Sequence, residues 1–388
     1  MPDRLDFGAI WLPIHVETHN PALQLEHELQ LAEHMDRLGF DEVWFGEHHS
    51  GGWEIGGAPE MMIAAAAQRT KNLRFGTGVS SLPYHHPLML LDRILMLDNM
   101  TRGRVMFGMG PGSLPRDARM MGIDILEARR MMEESLDAMV ELLEYSGPVS
   151  RKTDWFTLAE AELQWRPYGD ELDLRVAQAI SPSGPRLAGR YGTGMLSVAA
   201  ASPEGFAALQ NAWSIVEERS ARFGTQVSRK KWAIGAFIHI ADTEAEARAE
   251  VRYGLQDWVR YMQVASFFRL DDTLSVDEQI DYLVDNGLAV IGTADMAIDK
   301  IEAFQQQTGG FGSLLLFGHD WANITNTRKS YEIFAQKVMP HFRGHLDARK
   351  QAWNRTLEET ARGLGVSEWE AAAAKASKQH EDEKVSAR

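Results

Sequence analysis

Short runs of apolar residues alternate along the chain with longer segments whose apolar residues recur every three or four positions. The short runs predict buried β-strands, and the longer segments predict amphipathic helices that pack on them. A helical pattern such as Leu23–Gly39 ends on a glycine, as helices often do. The predicted strands are, in order, Leu5–Leu12, Asp41–Glu47, Leu73–Leu82, Arg104–Gly110, Leu174–Ile180, Gly194–Ala200, Trp232–Ala241 and Gly312–Gly318.

Eight strands that alternate with helices are typical of a (β/α)8 barrel, the TIM-barrel architecture of the α/β class. An open, doubly wound parallel sheet is the alternative, but it seldom has eight strands over this length without a phosphate-loop signature. The glycines of "GMGPGSLP" (residues 108–115) have the wrong spacing for a dinucleotide-binding fingerprint. We therefore predict a (β/α)8 barrel with insertions.

Two segments interrupt the barrel pattern and one segment follows it. Residues 149–168 predict a polar β-hairpin insertion. Residues 242–310 predict a longer insertion with a helix, a mobile loop near Arg269–Val276 and a second helix. We expect a single barrel domain over residues 1–345 and a charged tail over residues 346–388, which is helical or partly disordered.

Composition narrows the possible partners. The net charge of −15 argues against binding of phosphate backbones, so we expect no nucleic acid. Because the chain has no cysteine, it has no disulfide, no thiolate metal site and no cysteine nucleophile. No run approaches the ~20 apolar residues of a membrane-spanning helix, and the first residues do not resemble a secretory signal. We therefore expect a cytoplasmic protein that does not enter a membrane.

In a barrel, functional groups lie at the carboxyl ends of the strands and in the loops that follow them. The histidine pairs His48–His49 and His85–His86 follow the second and third predicted strands. Neighbours on an extended segment point to opposite sides, so neither pair is suited to chelate one ion, and we predict no metal site. A histidine near neutrality suits acid–base chemistry. The alternative is that these histidines only order the loop beside Trp53.

An anion site is predicted after the fifth strand. Ser181, Ser183 and Gly184 precede an apparent helix, and a helix N-terminus offers unpaired amides and a favourable dipole to a phosphate. An ordinary helix cap is the alternative, because serine and proline are common at such positions.

Several motifs together resemble the bacterial luciferase-like flavin monooxygenases. They are "GFDEVWFGEHH", "RFGTGVSSLPYHHPLMLLDRILMLDNMTRGRVMFGMGPG", "AVIGTADMAIDKIE" and "FAQKVMPHF", and the resemblance runs from Asp6 to Phe342. The stretches "GEHHSGGWEI", "SSLPYHHPLML" and "RKTDWFTL" are most similar to the limonene 1,2-monooxygenase-like group of that family.

The resemblance implies an enzyme that binds reduced FMN, with FAD or coenzyme F420 as the other possible cofactors. A separate flavin reductase would supply the reduced flavin. Oxygen would add to it as a C4a-peroxide, and one oxygen atom would pass to a small apolar substrate such as a terpene or a cyclic ketone. The alternatives are an F420-dependent oxidoreductase of the same fold and a flavin-binding relative without catalytic activity.

The resemblance also assigns roles to residues. It places the active-site histidine at His48, with Glu47 beside it. It places flavin contacts at Gly78, Val79, Ser80, Met109 and Trp258, with a cis peptide bond between Gly78 and Val79, and phosphate contacts at Ser181, Ser183 and Gly184. Trp53, Ile55 and Trp321 are the expected walls of the substrate pocket. The family's way of dimerising predicts a homodimer formed through the helices after strands two and three.

Overall fold

A computed structural model describes residues 4–12, 14–144, 147–198, 203–265, 270–362 and 365–386. Contacts divide the chain into two compact units, Met1–Met339 and Pro340–Arg388.

Eight parallel strands of the first unit close into a barrel. The strands are β1 Asp6–Trp11, β2 Glu42–Phe45, β3 Arg74–Thr77, β4 Ser80–Ser81, β5 Val105–Gly110, β6 Val149–Lys152, β7 Thr157–Ala161, β8 Asp173–Gln178, β9 Gly194–Ser197, β10 Trp232–Ile240, β11 Ala289–Gly292 and β12 Ser313–Phe317. Each barrel strand pairs in parallel with the next in the order β1, β2, β3, β5, β8, β9, β10, β12, and β12 pairs with β1 to complete the ring. This confirms the predicted (β/α)8 barrel.

Helices connect the strands. The α-helices are α1 Pro21–Leu38, α2 Pro59–Arg69, α3 Pro87–Thr101, α4 Pro115–Met120, α5 Ala128–Glu144, α6 Ser183–Tyr191, α7 Pro203–Phe223, α8 Glu244–Val251, α9 Leu255–Ala265, α10 Val276–Asp285, α11 Ala294–Thr308, α12 Ile324–Ile333, α13 Met339–Phe342, α14 Asp347–Ala361 and α15 Val366–Ser386. Short 3-10 turns cover Leu82–Tyr84 and Arg229–Lys231, and a π-helical turn covers Phe334–Val338.

The barrel interior is filled by large side chains that face glycines on neighbouring strands. Trp44 of β2 is fully buried. A Cβ atom on Gly76 of β3 would lie 2.1 Å from the Trp44 ring. A Cβ atom on Gly108 of β5 would lie 2.0 Å from the Thr77 carbonyl oxygen and 3.0 Å from the Trp44 ring. Both positions therefore require glycine, Gly76 because of the indole and Gly108 mainly because of the backbone of β3.

The insertions are only partly as predicted. β6 and β7 form the expected antiparallel hairpin, and α9 is the expected helix around Trp258. The sequence reading missed α8 and α10, as well as β11, which pairs in parallel with the end of β10. Arg269 of the predicted mobile loop lies outside the described residues. Residues 270–275 form a short turn, and α10 begins at Val276.

The second unit contains two exposed helices, α14 and α15. The dense charge from Lys378 onward predicts disorder, but α15 continues as a helix to Ser386. Among the described residues, no helix is long and apolar enough to cross a membrane.

Candidate active site

The carboxyl ends of the eight parallel strands meet at one rim of the barrel, because all run in the same direction. This rim brings together most of the residues that the sequence singles out. They lie after β2 (Glu47, His48, Trp53, Ile55), after β3 (Gly78, Val79, Ser80), in β5 (Met109), after β8 (Ser181, Ser183, Gly184) and after β12 (Trp321).

His48 is enclosed between two carboxylates. Its Nε2 atom lies 2.7 Å from Oε2 of Glu54, and its Nδ1 atom lies 3.2 Å from Oδ2 of Asp117. Burial alone would lower the pKa of His48, but the charge of Glu54 and the hydrogen bond to Asp117 outweigh it and raise the pKa to about 9. Both ring nitrogens thus lie against carboxylates, and with a pKa above neutrality the half-buried His48 is an imidazolium at neutral pH.

Glu47 bonds away from His48. Its Oε2 atom accepts a 2.6 Å hydrogen bond from the Ser81 amide, and its Oε1 atom lies 2.7 Å from Nε2 of His85 and 3.1 Å from Nε2 of His49. Burial would raise the pKa of Glu47, but these partners lower it to about 2. The carboxylate therefore joins β2 to β4 and orders His49, and its predicted catalytic role beside His48 stays a prediction.

Trp53 connects the loop after β2 to the long insertion. Its indole stacks on Tyr261 of α9, with ring centroids 5.4 Å apart and planes 14° apart. The carbonyl of Trp53 accepts a 2.9 Å hydrogen bond from the His15 amide. Trp53 and Ile55 are half-buried, so both have apolar surface left at the rim.

The peptide bond between Gly78 and Val79 is cis, which confirms that prediction. The bond separates β3 from β4, where the sequence predicts one continuous strand. Ser80 follows it and pairs with Met109 of β5. The Ser80 hydroxyl is buried and has no hydrogen-bond partner among the described residues. A group bound at the rim can satisfy this hydroxyl.

Ser181 and Ser183 lie together at the start of α6, with their hydroxyl oxygens 2.8 Å apart. Pro182 precedes the helix, and its side chain cannot cap the first amides. Gly184 has a packing role, because a Cβ atom there would lie 2.3 Å from the Ala177 carbonyl oxygen of β8. The serines therefore fit a phosphate site, and the glycine allows the helix to approach the strand closely.

Trp258 and Trp321 lie inside an aromatic cluster. Both are fully buried and pack edge to face, with ring centroids 5.1 Å apart. Phe237 contacts both rings, and His319 stacks on Trp321 at 4.2 Å. Burial and the neighbouring His239 lower the pKa of His319 to about 3, so its ring is neutral. Trp258 and Trp321 are therefore core residues of this cluster, and their contacts with flavin and substrate stay predictions.

The sequence reading missed Asp117, Glu54 and Tyr261 as site residues. A usable signal existed for Asp117, since it lies in the loop-helix segment directly after β5. Glu54 lies within the glycine-rich stretch "GGWE", and nothing in the neighbouring sequence indicates that its carboxylate contacts His48. In the part of the chain that the structure describes, no group of three or more histidine, aspartate or glutamate side chains is arranged to hold a metal ion.

Comparison with known proteins decides the family. Residues 7–310 match the model of the luciferase-like monooxygenases. The chain belongs to this family. A limonene 1,2-monooxygenase of Rhodococcus erythropolis is 44% identical over 384 residues, which is 98% of this chain and 97% of that relative. A 4-hydroxyprotoasukamycin monooxygenase of Streptomyces nodosus subsp. asukaensis is 39% identical over 92% of this chain and 97% of its own length.

A solved structure of the family carries FMN. It is the oxygenating constituent of 3,6-diketocamphane monooxygenase from Pseudomonas putida, described as a type II Baeyer-Villiger monooxygenase. It superposes with a TM-score of 0.73 at 26% identity and covers 87% of this chain and 98% of that one. The predicted family, barrel and monooxygenase class are therefore confirmed.

Proposed function

We propose that this protein is the oxygenating component of a two-component monooxygenase. It would take reduced FMN from a separate flavin reductase and transfer one atom of O2 to a small, apolar, terpene-like substrate. The observation that carries the proposal is one rim with the unsatisfied Ser80 hydroxyl after β3 and the Ser181–Ser183 pair at the start of α6. Full-length similarity to a limonene 1,2-monooxygenase supports the terpene-like substrate.

The residues present fit a flavin mononucleotide. Ser181, Ser183 and the first amides of α6 would hold the single phosphate. Gly78, Val79 and Met109 would lie against the ring system, and the Ser80 hydroxyl would find its partner there. When bound, the reduced flavin supplies the electrons that activate oxygen.

The chain's own groups would control protons and water. The His48 imidazolium would present positive charge and a retained proton at the rim, where charge changes during oxygen transfer. The apolar surface of Trp53 and Ile55 would exclude water from the reacting centre, because water wastes activated oxygen as hydrogen peroxide.

The test combines cofactor binding with product analysis. Reduced FMN, reduced FAD and reduced F420 are each titrated into the protein under nitrogen, and the complexes are then mixed with 18O2 and either limonene or a cyclic ketone. We expect FMN to bind most tightly and one 18O atom to appear in the product. Tight binding of F420 alone, or FMN binding without any labelled product, would contradict the proposal.

A serine variant tests the phosphate site. Ser181→Ala combined with Ser183→Ala should weaken FMN binding roughly 100-fold or more, because each of the two lost hydrogen bonds to a charged group is worth about 1.5 to 3 kcal/mol. Ser214→Ala, an exposed serine of α7, is the matched control. If riboflavin, which has no phosphate, loses affinity equally in the double variant, the serines do not bind phosphate.

We also propose a homodimer formed through α2 and α3. Met61 of α2 is 72% exposed, and Met89, Met96 and Met100 of α3 are 49–61% exposed. The three α3 residues are spaced seven and four positions apart and so lie on one helix face. Light scattering should show a dimer that Met96→Glu dissociates, whereas Leu357→Glu, on an exposed face of α14, should not change the mass. A monomeric wild-type protein would overturn this proposal.

A further inference from the structure

Glu54 is the nearest charged neighbour of His48. The 2.7 Å contact from Nε2 of His48 to Oε2 of Glu54 is shorter than the 3.2 Å contact from Nδ1 to Asp117. The same Asp117 oxygen also accepts the His49 amide at 3.2 Å, so Asp117 divides its charge between two donors. Glu54 is 7% exposed and therefore acts where water screens little.

Backbone contacts fix the segment that carries Glu54. Residue 54 forms an antiparallel bridge with Ile14, and the His48 amide donates a 2.9 Å hydrogen bond to the Gly56 carbonyl. Gly51 and Gly52 have φ values of 88° and 77°, a left-handed conformation that lets the chain turn back toward His48. Glu54 therefore reaches His48 from a fixed backbone, although the local sequence is rich in glycine.

The long insertion borders this contact. Burial and the charge of Glu54 raise the pKa of Tyr261, whose ring also stacks on Trp53. The other ionisable groups around the pair are His49, whose positive charge and that of His48 repel each other, and Tyr84, which lies near Asp117. Tyr261 of α9 thus lies beside the loop that carries Glu54 and within reach of its charge.

We propose that Glu54 is a positioning residue that fixes the charge and the orientation of the His48 imidazolium at the barrel rim, and that α9 shields this contact through the Trp53–Tyr261 stack. The proposal rests on the proposed function only for its effect on turnover. Both ring nitrogens of His48 face carboxylates, so His48 acts as a held positive charge and proton donor. His48 could act as a base only if it lost its contact with one of the two carboxylates.

The first readout uses the protein without cofactor. Histidine labelled with 13C at Cε1 is titrated by NMR, and the His48 signal is assigned by its loss in His48→Gln. We expect wild-type His48 to stay protonated to about pH 9. In Glu54→Gln the midpoint should fall by about 1 to 3 pH units. Glu250→Gln, which removes the carboxylate 2.8 Å from buried His239, is the matched control and should leave His48 unchanged.

The second readout is the pH profile of single-turnover product formation with reduced FMN. In Glu54→Gln the alkaline limb should move to lower pH by the same amount as the NMR midpoint. Glu54→Asp restores the charge on a shorter side chain and should recover at least half of both shifts. Thermal unfolding of each variant shows whether it is folded.

The outcomes separate the two proposals. An unchanged His48 midpoint in folded Glu54→Gln would overturn the positioning role, whatever the activity. If Glu54→Gln does not fold, Glu54→Ala, which also removes the carboxylate, decides, and an unchanged His48 midpoint in folded Glu54→Ala would overturn the role. A shifted midpoint together with no oxygenation by any form, including wild type, would support the positioning role and contradict the proposed function.

Discussion

At the residue scale, the two adjacent histidines of the rim have different environments. His48 lies between Glu54 and Asp117, and His49 lies against Glu47. We predict that His48→Gln lowers product formation about 100-fold or more, the usual contribution of a proton donor, and diverts oxygen to hydrogen peroxide. Product and peroxide should be measured in the same reaction.

His49→Gln is the control for this prediction, because it changes the neighbouring ring at the same strand end. It should alter the fraction of oxygen that enters product by only a few fold. Equal losses from both variants would mean that the loop as a whole matters and that His48 has no separate role.

Glu47 supports a prediction about stability. Its ordinary pKa of 4.5 falls to about 2 in the folded protein, so its stabilisation is present above pH 4.5 and is lost as the pH falls through 2. The difference corresponds to about 3 kcal/mol. Glu47→Gln should therefore lower the free energy of unfolding at pH 7, and the gap to wild type should narrow between pH 4.5 and 2. Urea unfolding at several pH values measures this gap, and a constant gap would contradict the assignment.

The sequence alone distinguishes the neighbouring residues at this strand end. The alternation of side chains along an extended segment separates His48 from His49. The same rule places Glu47 and His49, two residues apart, on one side, and it excludes Glu47 as the partner of His48. Glu54 could not be found this way, because its approach depends on the bridge to Ile14, a contact between two loops.

At the element scale, the prediction lacks two short helices, α8 and α10, whose capping signals are clear. Ser275 and Glu278 form a capping box at the start of α10, and Thr243 and Glu246 form one at the start of α8. This pattern is readable from sequence. β11 is harder to predict, because four apolar residues become a strand only by pairing with β10.

The capping box of α10 gives a local prediction. Ser275→Ala removes the acceptor for the Glu278 amide and should destabilise α10 by about 1 kcal/mol. Hydrogen exchange should then accelerate about fivefold at the first amides of α10 and remain unchanged in the barrel strands. Ser275→Asp, which keeps an acceptor at the cap, should restore protection. Faster exchange throughout the barrel would show that α10 does not open on its own.

At the scale of the whole molecule, barrel closure was predictable because eight strand–helix units in one order permit few other arrangements. The side chains that join the first and last strands at the rim were not predictable, since they are over 300 positions apart. His15, after β1, lies 2.9 Å from Asp320 after β12 and 2.9 Å from Glu28 of α1. The buried His15 side chain thus connects the loops that follow β1 and β12, the two strands whose pairing closes the barrel.

Because of this bridge, we expect the barrel to lose stability as the pH becomes alkaline. Burial alone would lower the pKa of His15, but its hydrogen bonds to Asp320 and Glu28 raise it from 6.5 to about 10. The stabilisation is therefore fully present below pH 6.5 and is lost as the pH rises through 10. The Asp320 side chain is 42% exposed and partly screened by water, and burial raises the pKa of Glu28, so both partners stabilise the charge less than two ideal carboxylates would. We therefore expect a loss of about 1 to 3 kcal/mol.

The measurement is the free energy of unfolding of wild type and His15→Asn across this range. His15→Asn should be less stable than wild type at pH 6, where His15 is charged. The two proteins should approach each other in stability by about pH 10, because wild type then loses the charge that the variant lacks at every pH. His19→Asn, at an exposed histidine of the same loop, should follow wild type at every pH. A difference between wild type and His15→Asn that does not shrink with rising pH would mean that the His15 ring stabilises the closure by packing and that its charge does not contribute.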